Sequence, residues 1–322
     1  MRYLFCMPIT GLYDSLTQIE RAWQYAKKYD RTLVIDTRIS GLHCQFSKLF
    51  EIILEHKDIE IIEPSPELEE QTISYPTAPR ALQGRAPIKR EDLARGFVKD
   101  VLSETGESIR IDLQQDYSEP KLIYIRRGGG AEAFQMLSKI HINGDTREEI
   151  ASRLEHLPDT YIGVHVRNTD VKSNYQKLFR RKSRFLKGKN VLVCSDDQEV
   201  IDFAQEFLKD STVFTTSVER SKDGSPIHVG PNADSRGRSI AVEALVDLVA
   251  LSQANQLFYT RLHLSIGRRP TKIAKALVRI ALRRRPLYRI SGFTGMALYL
   301  HKNDRVRNSF IEGVNSPVPR SD

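Results

Sequence analysis

The stretch YIGVHVRNTD, residues 161–170, opens as a continuous apolar run and ends in His165, Arg167, Asn168 and Asp170. A strand ending at Val166 puts these side chains at the carboxyl edge of a parallel sheet, where open α/β sheets bind ligands. Arg167 offers a rigid fork of donors that suits a phosphate, and its charge is permanent. Beside a breaking bond to a nucleotide diphosphate, that charge would stabilise the departing anion. The same residues have a plainer use: His165 satisfied within the core, and Arg167 paired with Asp170. Spacing alone leaves both open.

Three other places combine a strand end or an apolar helix with polar groups. In VCSDDQE, Asp196 and Asp197 follow a β-branched run; capping of the next helix explains them from sequence alone. In EALVDLVALSQAN, Glu243 and Asp247 are four apart on an otherwise apolar helix and so share a face. A carboxylate there needs a partner, either a base edge with paired N–H donors or a neighbouring cation. In YTRLHLSIGRRP, the hydroxyls of Thr260 and Ser265 flank an expected helix start near Ser265, a combination that suits a pyrophosphate.

The elements that must position these groups alternate. Strands are expected at 2–8, 31–36, 59–64 and 121–126, with helices at 15–29 and 46–56 and a long loop over 64–92. The pattern restarts with a helix at 145–157. Strands follow at 161–166, 190–195, 212–216 and 256–260, helices at 196–209 and 238–255, and a last strand at 296–302. This is an α/β chain in two consecutive halves, residues 1–145 and 146–322. Two such halves facing each other would place a ligand cleft between the carboxyl ends of their sheets.

The bulk composition sets outer limits. The chain has 322 residues, 40% hydrophobic and 28% charged, as in a soluble globular protein. No run approaches the ~18 apolar residues of a membrane span. The N-terminus has one basic residue and no small-residue cleavage site, so a first strand is expected there rather than a signal peptide. Three scattered cysteines argue against a disulfide framework or a zinc site and for a reducing compartment, here the cytoplasm. The net charge of +8 is concentrated: residues 171–190 carry eight Lys/Arg and no acid, and residues 261–290 carry ten and no acid. Each run suits a solvated face, and together they point to an anionic partner.

In order and spacing, IGVHVRNTD, VLVCSDD and VDLVALSQANQLFYT resemble the three motifs of the α1,6-, α1,2- and protein O-fucosyltransferases. AWQYAKKYDRTLVIDTR looks like the bacterial nodulation branch of that superfamily. The resemblance implies a GT-B-like fold and inverting, metal-independent transfer of L-fucose from GDP-fucose, with no further cofactor. By position, Arg167 would match the arginine that holds the β-phosphate. His165 and Asp247 would match guanine contacts, Asp196 and Asp197 the second motif's acidic pair, and Ser265 a phosphate-binding serine. The sequence departs from the pattern at Asn168, where α1,6 enzymes have a second arginine, and at Val171 and Tyr175, where mammalian-type enzymes have a lysine and a glutamate. Only Gly11 remains of a two-glycine loop after the first strand.

An inverting transfer needs a base near the acceptor hydroxyl. Asp36, at the end of the second strand, is a candidate, with bonding to Arg38 or capping of the next turn as its alternative. The leading reading is therefore a fucosyltransferase acting on a bacterial surface, secreted or lipid-linked glycan. The 261–290 stretch would give peripheral contact with an anionic membrane at its inner face, and no nucleic acid is expected. The alternatives are a related enzyme with another sugar nucleotide and a non-catalytic basic nucleotide- or polyanion-binding protein.

Overall fold

The computed structural model describes every residue except 57, 86–87, 94–99, 170, 217, 219, 222–235, 264–287 and 313–322. Asp170, Ser265 and most of the basic 261–290 stretch thus lie outside the described residues. The chain divides into two compact units, the first covering Met1–Ser152 and the second starting at Arg153. Part of a later helix and the last described helix belong to the first unit.

The first unit is built on a five-stranded parallel sheet. Its strands are β1 (Tyr3–Pro8), β2 (Thr32–Ile35), β4 (Ile61–Ile62), β5 (Thr77–Ala78) and β6 (Lys121–Arg126), in the order β4-β2-β1-β6-β5. β1 and β2 are buried throughout, which is why they read as unbroken apolar runs. Helix α1 (Leu12–Lys28) crosses from β1 to β2 and buries Leu16, Ile19, Trp23 and Ala26, the face expected from its spacing. Tyr3, Phe5, Met7, Ile123 and Ile125 pack on the other side against Leu68, Leu82, Ile88, Leu93, Leu102 and Ile109.

Half of those residues, Leu68, Leu82 and Ile88, come from the region expected to be a loop. Helix α2 (Pro66–Thr72) lies within it, capped by Ser65, whose Oγ accepts from the Leu68 N–H at 3.2 Å. Ser followed by Pro at the first helical turn is a start signal, although the polar composition reads as loop. A second correction concerns 46–56, expected to be helical. Only short 3₁₀ turns form at Phe46–Lys48 and Leu54–His56, around β3 (Phe50–Ile52). β3 pairs antiparallel with β7 (Ile140–Ile142), ninety residues away in sequence, with Phe50 opposite Ile142 and Ile52 opposite Ile140. Helices α3 (Glu132–Leu137) and α4 (Gly144–Leu154) flank β7.

The second unit has a four-stranded parallel sheet in the order β10-β9-β8-β11, made of β8 (Ile162–Val166), β9 (Asn190–Ser195), β10 (Thr212–Phe214) and β11 (Gln256–Tyr259). Helices α5 (Tyr175–Leu186) and α6 (Gln198–Phe207) link the first three strands and bury Phe179, Leu186, Val200, Ile201 and Ala204 against Val164, Val191 and Val193. The opposite face, carrying Gly163 and His165, takes the C-terminal part of α7 (Arg238–Gln253). Gly163 permits the approach: a Cβ there would lie 3.0 Å from Cβ of Ala254 and 3.2 Å from Leu251. A short antiparallel pair, β12 (Leu262–His263) and β13 (Tyr288–Arg289), follows.

The last strand expected at 296–302 is helix instead. α8 spans Gly292–Lys302 and buries Thr294, Met296, Ala297 and Leu300 on one face. α9 (Asp304–Phe310) belongs to the first unit, where Phe310 lies 6.2 Å from Phe50, ring to ring. The acid-free 171–190 run forms α5, with Lys177, Arg180, Arg181 and Arg184 exposed. Among the described residues, no helix is long and apolar enough to cross a membrane.

Candidate functional site

In the second sheet the chain runs from β8 outward through β9 to β10, then returns to place β11 on the other side of β8. The connections therefore diverge between β8 and β11, and the carboxyl ends of such strands are where open α/β sheets bind ligands. His165 and Arg167 stand at the end of β8, and Thr260 follows β11. The Thr260 N–H donates to the His165 carbonyl at 3.1 Å. Thr260 is 5% exposed, yet its Oγ1 finds no hydrogen-bond partner among the described residues. A buried hydroxyl without a partner costs stability, so this one is free to serve a ligand.

His165 is 7% exposed, and its burial pushes the ring pKa down to about 4, so the imidazole is neutral at pH 7. Nearby Arg167 acts in the same direction, while Asp196 opposes it. The ring faces Phe293 at a centroid distance of 5.1 Å, and Nδ1 lies 2.8 Å from the Thr294 hydroxyl. Cys194 is the register partner of His165 on β9. Its Sγ is 3.7 Å from the Thr216 hydroxyl, which in turn donates to Asp247 Oδ1 at 2.5 Å. Burial, then the Asp247 carboxylate, raises the Cys194 thiol well above its ordinary range, which makes it an inert spacer rather than a nucleophile. Asp247 and His165 therefore flank one patch of the sheet, bridged by Cys194 and Thr216.

The acidic pair after β9 fastens the loop after β8. Asp196 accepts from Arg167 Nη1 at 2.9 Å, from the Asn168 N–H at 2.9 Å and from the Thr169 hydroxyl at 2.6 Å. Asp197 caps α6 by accepting from the Glu199 N–H at 3.0 Å and also receives Asn168 Nδ2 at 2.8 Å. The Asn168 Oδ1 accepts from the Ser173 N–H at 3.0 Å. Both ends of the Asn168 amide are thus engaged within the protein, and the residue is 3% exposed. Arg167 is held by Asp196 with its side chain still 25% exposed. Capping, the plain reading of VCSDDQE, describes Asp197; Asp196 instead orients Arg167.

Asp36 lies in the first unit, at the end of β2. Both of its oxygens are held by Arg38, through Nε and Nη2 at 2.9 Å each, and Arg38 also reaches Glu69 at 2.6 Å. Pairing with Arg38 was the plainer of its two expected uses. Sequence reasoning missed Thr216, Ser291, Phe293 and Thr294. Ser291, three residues before Thr294 and an apolar run, is a helix-start signal hidden by the strand reading of 296–302. Among the described residues, no group of three or more His, Cys, Asp or Glu side chains could hold a metal ion.

No family model matches the sequence, and no characterised protein matches it at a significant level. Solved structures do. The NodZ alpha-1,6-fucosyltransferase soaked with GDP-fucose aligns over 93% of this chain and 92% of its own, at 20% identity and a TM-score of 0.54. The chain shares the fold of NodZ. The same enzyme co-crystallised with GDP gives a TM-score of 0.53, and selenomethionyl NodZ from Bradyrhizobium gives 0.52. Each is 20% identical over 92% of this chain and 91% of its own. The α/β class with parallel sheets, expected from the alternation of elements, is therefore the fold observed, and the neighbours lie in the branch that the N-terminal motif resembles.

Proposed function

We propose that the protein is a glycosyltransferase that transfers L-fucose from GDP-fucose to a glycan acceptor, with inversion and without a metal ion. One observation carries the reading: Arg167, neutral His165 and the partnerless Thr260 hydroxyl stand at the ends of β8 and β11, where the second sheet changes direction. The arginine supplies fixed positive charge for a departing diphosphate, the work that a divalent cation does elsewhere. Asp247 supplies an acceptor for the N–H groups of a base. Support for the sugar nucleotide comes from the shared fold, since NodZ has been solved with GDP-fucose and with GDP. The acceptor class follows the same likeness and extends to lipid-linked glycans.

The test is a thermal-shift panel of GDP, GDP-fucose, GDP-mannose and UDP-sugars in the presence of a chelator. Stabilisation by GDP and GDP-fucose, abolished in Arg167→Ala, is the expected result. Equal response to several donors would shift the reading to another sugar. No response to any GDP compound would sink it.

A further inference from the structure

Helix α5 covers one face of the second sheet through Phe179 and Leu186, which are fully buried. Its opposite face carries Lys177, Arg180, Arg181 and Arg184, all exposed. Spacings of three and four residues set these cations side by side, within roughly 100° of arc and about 10 Å along the axis. The helix itself has no acid. Ion pairs touch the basic run only at its ends, where Lys172 meets Asp197 and Lys187 meets Asp210. Neighbouring α6 exposes Glu199, Asp202 and Glu206, yet among the described residues none of them pairs with the four cations. Lys177 and Arg181 are like charges four apart, as are Arg180 and Arg184, an arrangement that destabilises a helix. An anionic surface laid against this face would remove that cost.

The shape and the rim of the face narrow the choice of anion. Beside Arg181 and Arg184 stands Phe185, 56% exposed, an apolar ring bordering the cations. Lys182 Nζ lies over that ring at 5.2 Å and over Phe258 of the edge strand β11 at 4.4 Å. A nucleic-acid strand is held in a cationic groove with aromatic rings open for stacking. Here the surface is the convex flank of a helix, and a cation already covers the ring. A layer of lipid phosphates suits such a ridge: arginine forks engage phosphates in pairs, and an exposed phenyl ring settles at headgroup depth.

We propose that the outer face of α5 is a docking surface for an anionic lipid layer, with Arg180, Arg181 and Arg184 on headgroup phosphates and Phe185 at the headgroup–acyl boundary. No residue of this face belongs to the candidate nucleotide site, so the two readings stand or fall separately.

The test is co-sedimentation of the full chain with phosphatidylcholine vesicles, with and without phosphatidylglycerol, at low and high salt. Binding is expected only with phosphatidylglycerol and fades as salt rises. The triple variant Arg180→Gln, Arg181→Gln, Arg184→Gln should bind at least about tenfold more weakly. A matched variant, Lys28→Gln, Arg110→Gln, Arg305→Gln, removes the same charge from exposed positions of the first unit and should stay within about twofold of wild type. Phe185→Ser should weaken vesicle binding roughly three- to tenfold. The α5 variant relieves like-charge contacts, so its unfolding temperature should equal or exceed that of the wild type. Equal losses in the two triple variants, binding to phosphatidylcholine alone, or an unmoved Phe185→Ser overturns the proposal. So does failure to bind phosphatidylglycerol vesicles, whether or not a DNA duplex binds instead. A chain that docks on vesicles but does not respond to GDP defeats the proposed function and leaves this surface in place.

Discussion

The two parallel sheets end in different kinds of polar edge. In the first unit, charges at the carboxyl edge are consumed locally: Asp36 is clamped by Arg38, and Arg126 at the end of β6 is paired with Asp100. The glycine loop that follows β6 is packed down: a Cβ on Gly129 would lie 2.2 Å from the Tyr13 ring, and Gln18 donates to the Gly128 carbonyl. A buried hydroxyl without a partner among the described residues follows a strand in both units, Thr10 Oγ1 after β1 and Thr260 Oγ1 after β11, so the difference lies in the groups around it. In the second unit Thr260 bonds the backbone of His165, whose buried imidazole is neutral, and Arg167 follows two residues on with its side chain partly exposed. Both edges look alike in sequence, each an apolar run followed by an aspartate or an arginine. Charges clamped to one another, as Asp36 is by Arg38, make a structural joint, whereas a buried partnerless group carries a cost that a ligand can offset.

Substitutions can break this contrast, and the largest effect is expected at Arg167. Arg167→Ala should reduce transfer from the donor at least a hundredfold, with little change in unfolding temperature, as measured by donor turnover and calorimetry. A variant that keeps wild-type turnover would place the donor site elsewhere. Asp36→Asn should do the reverse. It should lower stability by about 2 kcal/mol, because it breaks a partly exposed ion pair, and leave GDP affinity within twofold. If the folded variant binds GDP normally but has no transferase activity, Asp36 is the base rather than a joint.

Acid titration tests the buried imidazole. Folded His165 binds its proton less readily than in the unfolded chain, about 4 against 6.5. Its contribution is therefore fully present above pH 6.5 and lost as the pH falls toward 4. Urea midpoints of the wild type should drop more steeply across that window than those of His165→Gln; parallel slopes would show a ring that protonates freely in the native state. Thr260→Val makes a subtler separation. Removing a partnerless buried hydroxyl at constant volume should raise stability by up to ~1 kcal/mol while weakening GDP binding several-fold. A loss of both would give the hydroxyl a structural partner. The smallest effect is expected from Arg181→Gln on the exposed face of α5, within about 0.5 kcal/mol and without change in GDP affinity.

What could be read in advance followed local physics. The buried parallel strands were legible because a strand covered on both faces must be continuously apolar, as β1, β2, β8 and β9 are. Helix α1 was legible from its 3.6-residue period. FSKLFEIILEH also has helical spacing, but Phe50–Ile52 finds its backbone partners on β7, and no local pattern announces a partner so distant. MALYLHK alternates well enough to pass for a strand, yet it lies within a helix started by the Ser291 cap.

By itself the sequence determined which residue types stand at the strand ends, hence the α/β class and the presence of Arg167, His165 and the Asp196–Asp197 pair at one sheet edge. Only the tertiary structure decided how each is used. Asp196 orients Arg167, Asp197 caps and ties Asn168, Arg38 occupies Asp36, and Thr294 holds His165. Strand ends follow from local periodicity, which a sequence carries directly. Hydrogen-bond partners depend on which distant elements are brought within 3 Å, and folding alone settles that.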